Sequence, residues 1–300
     1  MLQFSIEDRF IVPSALTSAH NTLPKQSINV LNENCTEENQ LIRLFLGTAV
    51  LVHNATGKRF IQKTNYSVIG CPIVNSKSYK VIEESLLAYD IEVKELDFLL
   101  RRTLPQRRYY KDLLSEVCGV LWRSQRGEYT LSFLHIYRFL EHVSFAFPLL
   151  YASRSSDYDG AFASLKEFFS NDKKELGFFK KFVHASIDSD LRSQTNKINF
   201  LSIDGNYRGA IYKSIKDQIS VENITSNIDN EEIELKNDGI LELCIGLRNR
   251  YFHFASTNSK NISNSDIGDS DLLFALVNKS ILNWLTVIYF ETIKHRIKIS

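Results

Sequence analysis

The stretch 130–152, TLSFLHIYRFLEHVSFAFPLLYA, is apolar and aromatic over a length that strands of about ten residues or fewer do not reach. It therefore reads as a central helix around which the rest of the chain must pack, with Pro148 expected to kink or end it. His135, Tyr137, Arg138, Glu141 and His142 interrupt a surface otherwise suited to burial. Arg138 and His142 stand four apart, with Glu141 on a neighbouring helix position, which reads as an ion-pair network inside the bundle or, if they face the motif helix, as support for it. A second apolar run, 272–290, approaches the ~20 residues of a membrane span, yet Asn278, Lys279, Ser280 and Asn283 sit in its middle. A buried core helix is the reading.

Composition points the same way. Twelve glycines and five prolines in 300 residues leave too few turn formers for a β-rich fold, so the chain is expected to be predominantly α. Twenty Phe and thirteen Tyr, with methionine only at Met1, predict a core of aromatics, Leu and Ile. Thirty-six Lys and Arg against 35 Asp and Glu give a net charge of +1, which supplies no chain-wide basic field; a polyanion site must be local. Cys35, Cys71, Cys118 and Cys244 are scattered, and the N-terminus lacks the basic-then-apolar pattern of a signal peptide. The expectation is reduced thiols in a cytoplasmic protein with no membrane partner.

The chain divides into an N-terminal region, 1–105, and a helical domain, 106–300. Residues 1–35 lack periodicity and read as an arm or irregular segments. Thr36 followed by Glu37 and Glu38 resembles a helix start leading into the apolar run 41–52; a helix to near Gly57 is expected, with a strand as the alternative. Residues 58–74 form the best strand or hairpin candidate, so this region is small and mixed or helical. Apolar positions at spacings of three and four predict one or two helices over 79–102, broken by Pro105, and another from Gln106 to about Arg126. Its start holds Arg101, Arg102, Arg107 and Arg108 beside Tyr109 and Tyr110, a basic and aromatic cluster of the kind that holds phosphates and stacks bases. One or two helices over 161–184, a turn at 202–206, a helix from Gly209 to Ile219 and a polar connection at 222–237 follow. Asp238 is expected to cap a helix with Ile240, Leu243, Cys244, Leu247, Tyr251 and Phe254 on one face. A Ser/Asn-rich run, 256–270, with no core-forming residues precedes a closing helix to about Ile297.

Phosphate-binding glycine loops, zinc spacings and the serine nucleophile elbow are all absent from the sequence. What remains is Leu247-Arg248-Asn249-Arg250-Tyr251-Phe252-His253, with two guanidiniums, an amide and an imidazole on adjoining positions. Arginine stabilises charge on a phosphodiester, and a histidine titrating near neutrality moves the proton, so no metal or other cofactor is required. Arg248-Asn249 followed by His253 resembles the R-x4-6-H signature of the HEPN superfamily (higher eukaryotes and prokaryotes nucleotide-binding), many of whose members are metal-independent ribonucleases. The run from Tyr137 through Arg138 to Glu141 is similar to the aromatic-then-Glu pattern of a leading HEPN helix. The resemblance spans at most about 106–297.

That resemblance implies a HEPN-like bundle in the C-terminal two-thirds, a homodimer with a composite active site, and an RNA substrate cut by its own 2′-hydroxyl. It implies His253 as acid and base, Arg248 as stabiliser of phosphorane charge, and Asn249 as orienting group, in a defence or toxin effector with an antitoxin or defence-system partner. Tyr137, Arg138, Glu141, Arg107 and Arg108 are candidate supporting or substrate-binding residues. On an ideal helix Arg248 and His253 lie about 140° apart, whereas Arg250 lies within about 60° of His253. A two-fold partner must then complete the site, and Arg250 is a second candidate for the phosphate. The other class of function compatible with these residues is a non-catalytic helical module that binds a nucleotide or a protein.

Overall fold

A computed structural model describes residues 3–10, 35–76, 78–102, 106–153, 158–169, 176–252 and 261–298. The chain is predominantly α. It begins with strand β1 (Phe4–Asp8), helix α1 (Glu37–Phe45), and strands β2 (Ala49–His53) and β3 (Arg59–Ile61). Helices α2 (Lys80–Leu87), α3 (Val93–Arg102), α4 (Arg107–Gln125), α5 (Tyr129–Ser153), α6 (Tyr158–Phe169), α7 (Gly177–Ser186) and α8 (Ser189–Ser193) follow. Strand β4 (Thr195–Asn199), helix α9 (Gly205–Lys216), strands β5 (Ile224–Ile228) and β6 (Glu232–Lys236), and helix α10 (Asn237–Leu247) come next. A π turn over Arg248–Phe252, helix α11 (Asn264–Ile267) and helix α12 (Ser270–Lys298) close the order.

The aromatic run forms α5 as expected, and α4 and α12 pack along it. Phe133, Ile136, Phe139, Leu140, Val143 and Phe147 are buried along its inner side. Pro148 lies inside the helix and does not end it. Helix α12 is long and apolar enough to cross a membrane by length and composition, but 72% of its most apolar window is buried inside the protein. Its central amides serve packing: Asn278 donates to the Tyr129 carbonyl, and Asn283 donates to the carbonyls of Tyr66 and Val68.

The apolar run 41–52 is a helix followed by a strand, which corrects the single helix expected to reach Gly57. Thr36 caps α1 by accepting from the Asn39 N–H, as expected, but Gly47 turns the chain at φ +70° and β2 begins at Ala49. A Cβ on Gly47 would lie 2.7 Å from the Lys63 backbone, so both the conformation and the close approach require glycine. β2 sits between β1 and β3 in an antiparallel sheet. β1 replaces part of the expected irregular arm; residues 11–34 lie outside the described residues. Its buried ends are Phe4 and Asp8, and Asp8 is neutralised by buried Arg43 at 3.1 Å. From 58–74, β3 and a bridge between Thr64 and Ile73 form.

A second antiparallel sheet, ordered β4-β6-β5, corrects the connection expected over 222–237 and adds a strand at Thr195–Asn199. In β6, Ile233 and Leu235 alternate inward, and in β4 only Ile198 is buried. Asp238 is not the cap of α10; Lys236 holds that position, and Asp238 pairs with Arg192 at 3.0 Å. The 256–270 run also contributes to the core, because Ile262 and Ile267 are buried.

One hydrophobic cluster runs from Phe4 to Ile293 and so crosses residue 105. Buried Glu38 of α1 meets buried Arg296 of α12 at 2.7 Å, and the Arg296 guanidinium donates to the Tyr110 hydroxyl of α4.

Candidate active site

Helix α10 carries the motif into position because Ile240, Leu243, Cys244 and Leu247 share a buried face, as their spacing predicts. The helix stops at Leu247. Over Arg248–Phe252 the backbone widens into a π turn, which corrects the uninterrupted helix expected through Phe254. Single π turns are frequent at functional sites, and their i→i+5 hydrogen bonding makes a wider turn than the α-helix. The 100° step of an ideal helix therefore does not apply over Arg248–Phe252.

Aromatic packing holds the turn. Phe252 stacks on Phe133 of α5, with centroids 5.9 Å apart and planes 4° from parallel. Tyr251 meets Phe274 of α12 edge-on at 5.3 Å, and its hydroxyl donates to Asn264 Oδ1 at 2.9 Å. The Arg250 carbonyl accepts from the Ile262 N–H. These anchors were not among the candidate site residues, although paired aromatics beside a polar triplet were a visible signal.

On the outer side, the Arg248 guanidinium carbon lies 4.9 Å from the centroid of the Tyr137 ring. Arg248 Nη1 donates to Asn249 Oδ1 at 3.0 Å. Arg248, Asn249 and Arg250 are all half-buried, and Tyr137 is buried. The ring restrains the plane of the guanidinium through its quadrupole, and the amide restrains its rotation. Such a group holds a tetrahedral anion in a set orientation. His253 lies outside the described residues.

The structure thus brings together Arg248, Asn249 and Tyr137, keeps Arg250 on the same turn, and gives Arg138, Glu141, Arg107 and Arg108 other surroundings. Arg138 pairs with Glu116 of α4 at 2.9 Å, and His135 Nδ1 meets the same carboxylate at 2.8 Å. That contact is possible because the His135 ring rests on Gly119, where a Cβ would lie 2.6 Å from it. Glu141 is exposed, and only its carbonyl is engaged, by Ser144. Arg107 pairs with Glu37 at 2.7 Å, which raises its pKa, and Arg108 is exposed. Tyr110 is buried beside Arg296, and the Tyr109 hydroxyl donates to the His142 carbonyl; neither ring is free to stack a base. The basic cluster at 101–108 is therefore a helix junction whose arginines are partly spent on Asp97 and Glu37. Pro105 lies outside the described residues.

Other reactive groups are held in unreactive forms. Burial pushes the thiols of Cys35 and Cys71 up to about 11 and those of Cys118 and Cys244 higher still, so none is a nucleophile near neutrality. Between α7, α8 and α10 lies a polar cleft of about 390 Å³ containing His184 and Arg192. Its cations are matched by its own carboxylates, Lys180 with Glu242 and Arg192 with Asp238, which leaves no surplus charge for a phosphate. Among the described residues no group of three or more His, Cys, Asp or Glu is arranged to hold a metal ion. Comparison with protein-family models, with curated proteins and with solved structures finds no match.

Proposed function

We propose that this chain is a cytoplasmic, metal-independent endoribonuclease of HEPN type, acting as a bacterial defence or toxin effector. Arg248, Asn249 and His253 are its catalytic set, and Arg250 is a further phosphate contact. The observation that carries this reading is the Arg248 guanidinium held between the Tyr137 ring and the Asn249 amide on an accessible π turn.

In the reaction an imidazole of His253 takes the 2′-hydroxyl proton as that oxygen bonds to phosphorus. Negative charge gathers on the non-bridging oxygens and is met by Arg248. The bond from phosphorus to the 5′-oxygen breaks, and that oxygen takes its proton from an imidazolium, leaving a cyclic phosphate and a 5′-hydroxyl. A two-fold mate supplies the second imidazole in the composite cleft.

The test is digestion of single-stranded RNA in EDTA with end-group analysis. Wild type is expected to leave cyclic phosphate ends, and Arg248→Ala or His253→Ala to lose about 10²-fold or more of the rate while melting like wild type. Undiminished cutting in both variants overturns the site. Tight nucleotide binding without cutting in wild type identifies the non-catalytic module instead.

A further inference from the structure

Strand β1 lies at the border of its sheet, and among the described residues nothing pairs with its second edge. Which of its groups face that edge follows from the register. The Asn54 N–H donates to the Gln3 carbonyl, and β1 runs antiparallel to β2 with Ser5 opposite Val52 and Glu7 opposite Val50. In such a pair, residues that bond to the neighbouring strand alternate with residues whose N–H and C=O point the other way. Gln3, Ser5 and Glu7 therefore bond to β2, and the N–H and C=O groups of Phe4 and Ile6 point outward. The far side of β2 agrees, because His53 donates to the Lys58 carbonyl and the Ala49 carbonyl accepts from Gln62, which leaves Val50 and Val52 turned to β1. The outward groups of Phe4 and Ile6 meet no partner among the described residues. Edge strands are commonly blunted by Lys, Pro or a bulge, and Phe4–Ile6 has none of these.

That edge is one wall of a groove. Four consecutive residues, Gln3 to Ile6, line a cavity of about 210 Å³. A cleft over one face of a strand touches alternate residues, so this one runs along the edge. The opposite wall is α4, where Lys111, Leu114 and Cys118 fall on one face. Leu114 and Cys118 are buried and make its floor apolar. Lys111 is exposed and stands in no ion pair among the described residues, and no carboxylate lines the cavity.

Free backbone groups on a strand edge call for another extended backbone, and an unmatched ammonium beside them calls for an acid. We propose that the groove between β1 and α4 binds an extended, acidic peptide segment of another protein, which joins the sheet as an additional strand beside β1. Its backbone bonds to Phe4 and Ile6, and its alternate side chains enter the groove. Lys111 and Cys118 are about 10 Å apart along the axis of α4, and side chains two apart on a strand stand about 7 Å apart. The segment thus sets an acidic residue at Lys111 and, two positions away, an apolar residue on Leu114 and Cys118.

The labelled full chain is applied to an array of peptides about nine residues long, on a Ser/Thr background, carrying all combinations of acidic, basic and apolar residues two positions apart. Retention is expected on acidic–apolar peptides and not on their basic counterparts. The best binder is then measured in solution by fluorescence polarisation. N-methylation of alternate backbone nitrogens in its centre is expected to weaken binding about tenfold or more, and N-methylation of the intervening ones to leave it unchanged. Lys111→Glu is expected to weaken the acidic peptide about tenfold and to shift the array towards basic ones, at an unchanged melting temperature. No retention of any acidic–apolar peptide overturns the proposal, as does binding indifferent to N-methylation at every position or to Lys111→Glu. A chain that takes no peptide but self-associates, and loses that self-association on Ile6→Pro, gives the edge to a second copy and equally overturns it.

Discussion

A half-buried carboxylate shows how single residues tie this fold to pH. Burial pushes Glu242 up, but the Ser220 hydroxyl and N–H and the Lys180 ammonium outweigh it and hold it at about 2, below its ordinary 4.5. Both Ser220 groups reach Glu242 Oε2, at 2.6 and 3.0 Å. Because the folded value is depressed, the stabilisation is complete above the unfolded value and is lost as pH falls towards about 2. Reduced by solvent screening at a half-buried position, it amounts to about 1–2 kcal/mol at neutral pH. Urea unfolding of Glu242→Gln is expected to show that deficit near neutrality, with the gap to wild type closing as the medium is acidified through this window. The same scale governs the site, where Arg248 is useful because one ring and one amide restrict an otherwise flexible side chain.

Elements were legible where hydrophobic period and capping agreed. Thr36, Glu37 and Glu38 mark the start of α1, and the three-and-four spacing of Ile240, Leu243, Cys244 and Leu247 marks α10. The end of α1 was hidden because a helix and a buried strand join without a polar break, and only Gly47 separates them. Gly47→Ala is expected to destabilise the protein by about 2 kcal/mol or more, read from the urea midpoint, since a Cβ there meets backbone at 2.7 Å. β1 was hidden for another reason: its inward end is Asp8, whose burial depends on Arg43, 35 positions away. In β6 the alternation of Ile233 and Leu235 was present in the sequence, but the Asn- and Glu-rich surroundings concealed it.

At the scale of the whole molecule, the N-terminal third and the helices after it share one core. The Glu38–Arg296 pair joins α1 to the end of α12, and the Tyr110 hydroxyl accepts a hydrogen bond from the Arg296 guanidinium. Removing one partner leaves the other charged and buried, so Glu38→Gln is expected to cost about 3–5 kcal/mol in urea unfolding.

Local order alone determined the helical class, the central place of α5 and α12, and the residue types at Arg248, Asn249 and His253 on which the proposed function rests, because these follow from period, length and side-chain chemistry. Tertiary structure decided which groups meet. It set Arg248 on Tyr137, more than a hundred positions earlier, and withdrew Arg107, Arg138 and Tyr110 to partners of their own. Pairings of that kind are fixed by packing between distant segments, and the sequence near either partner carries no record of the other.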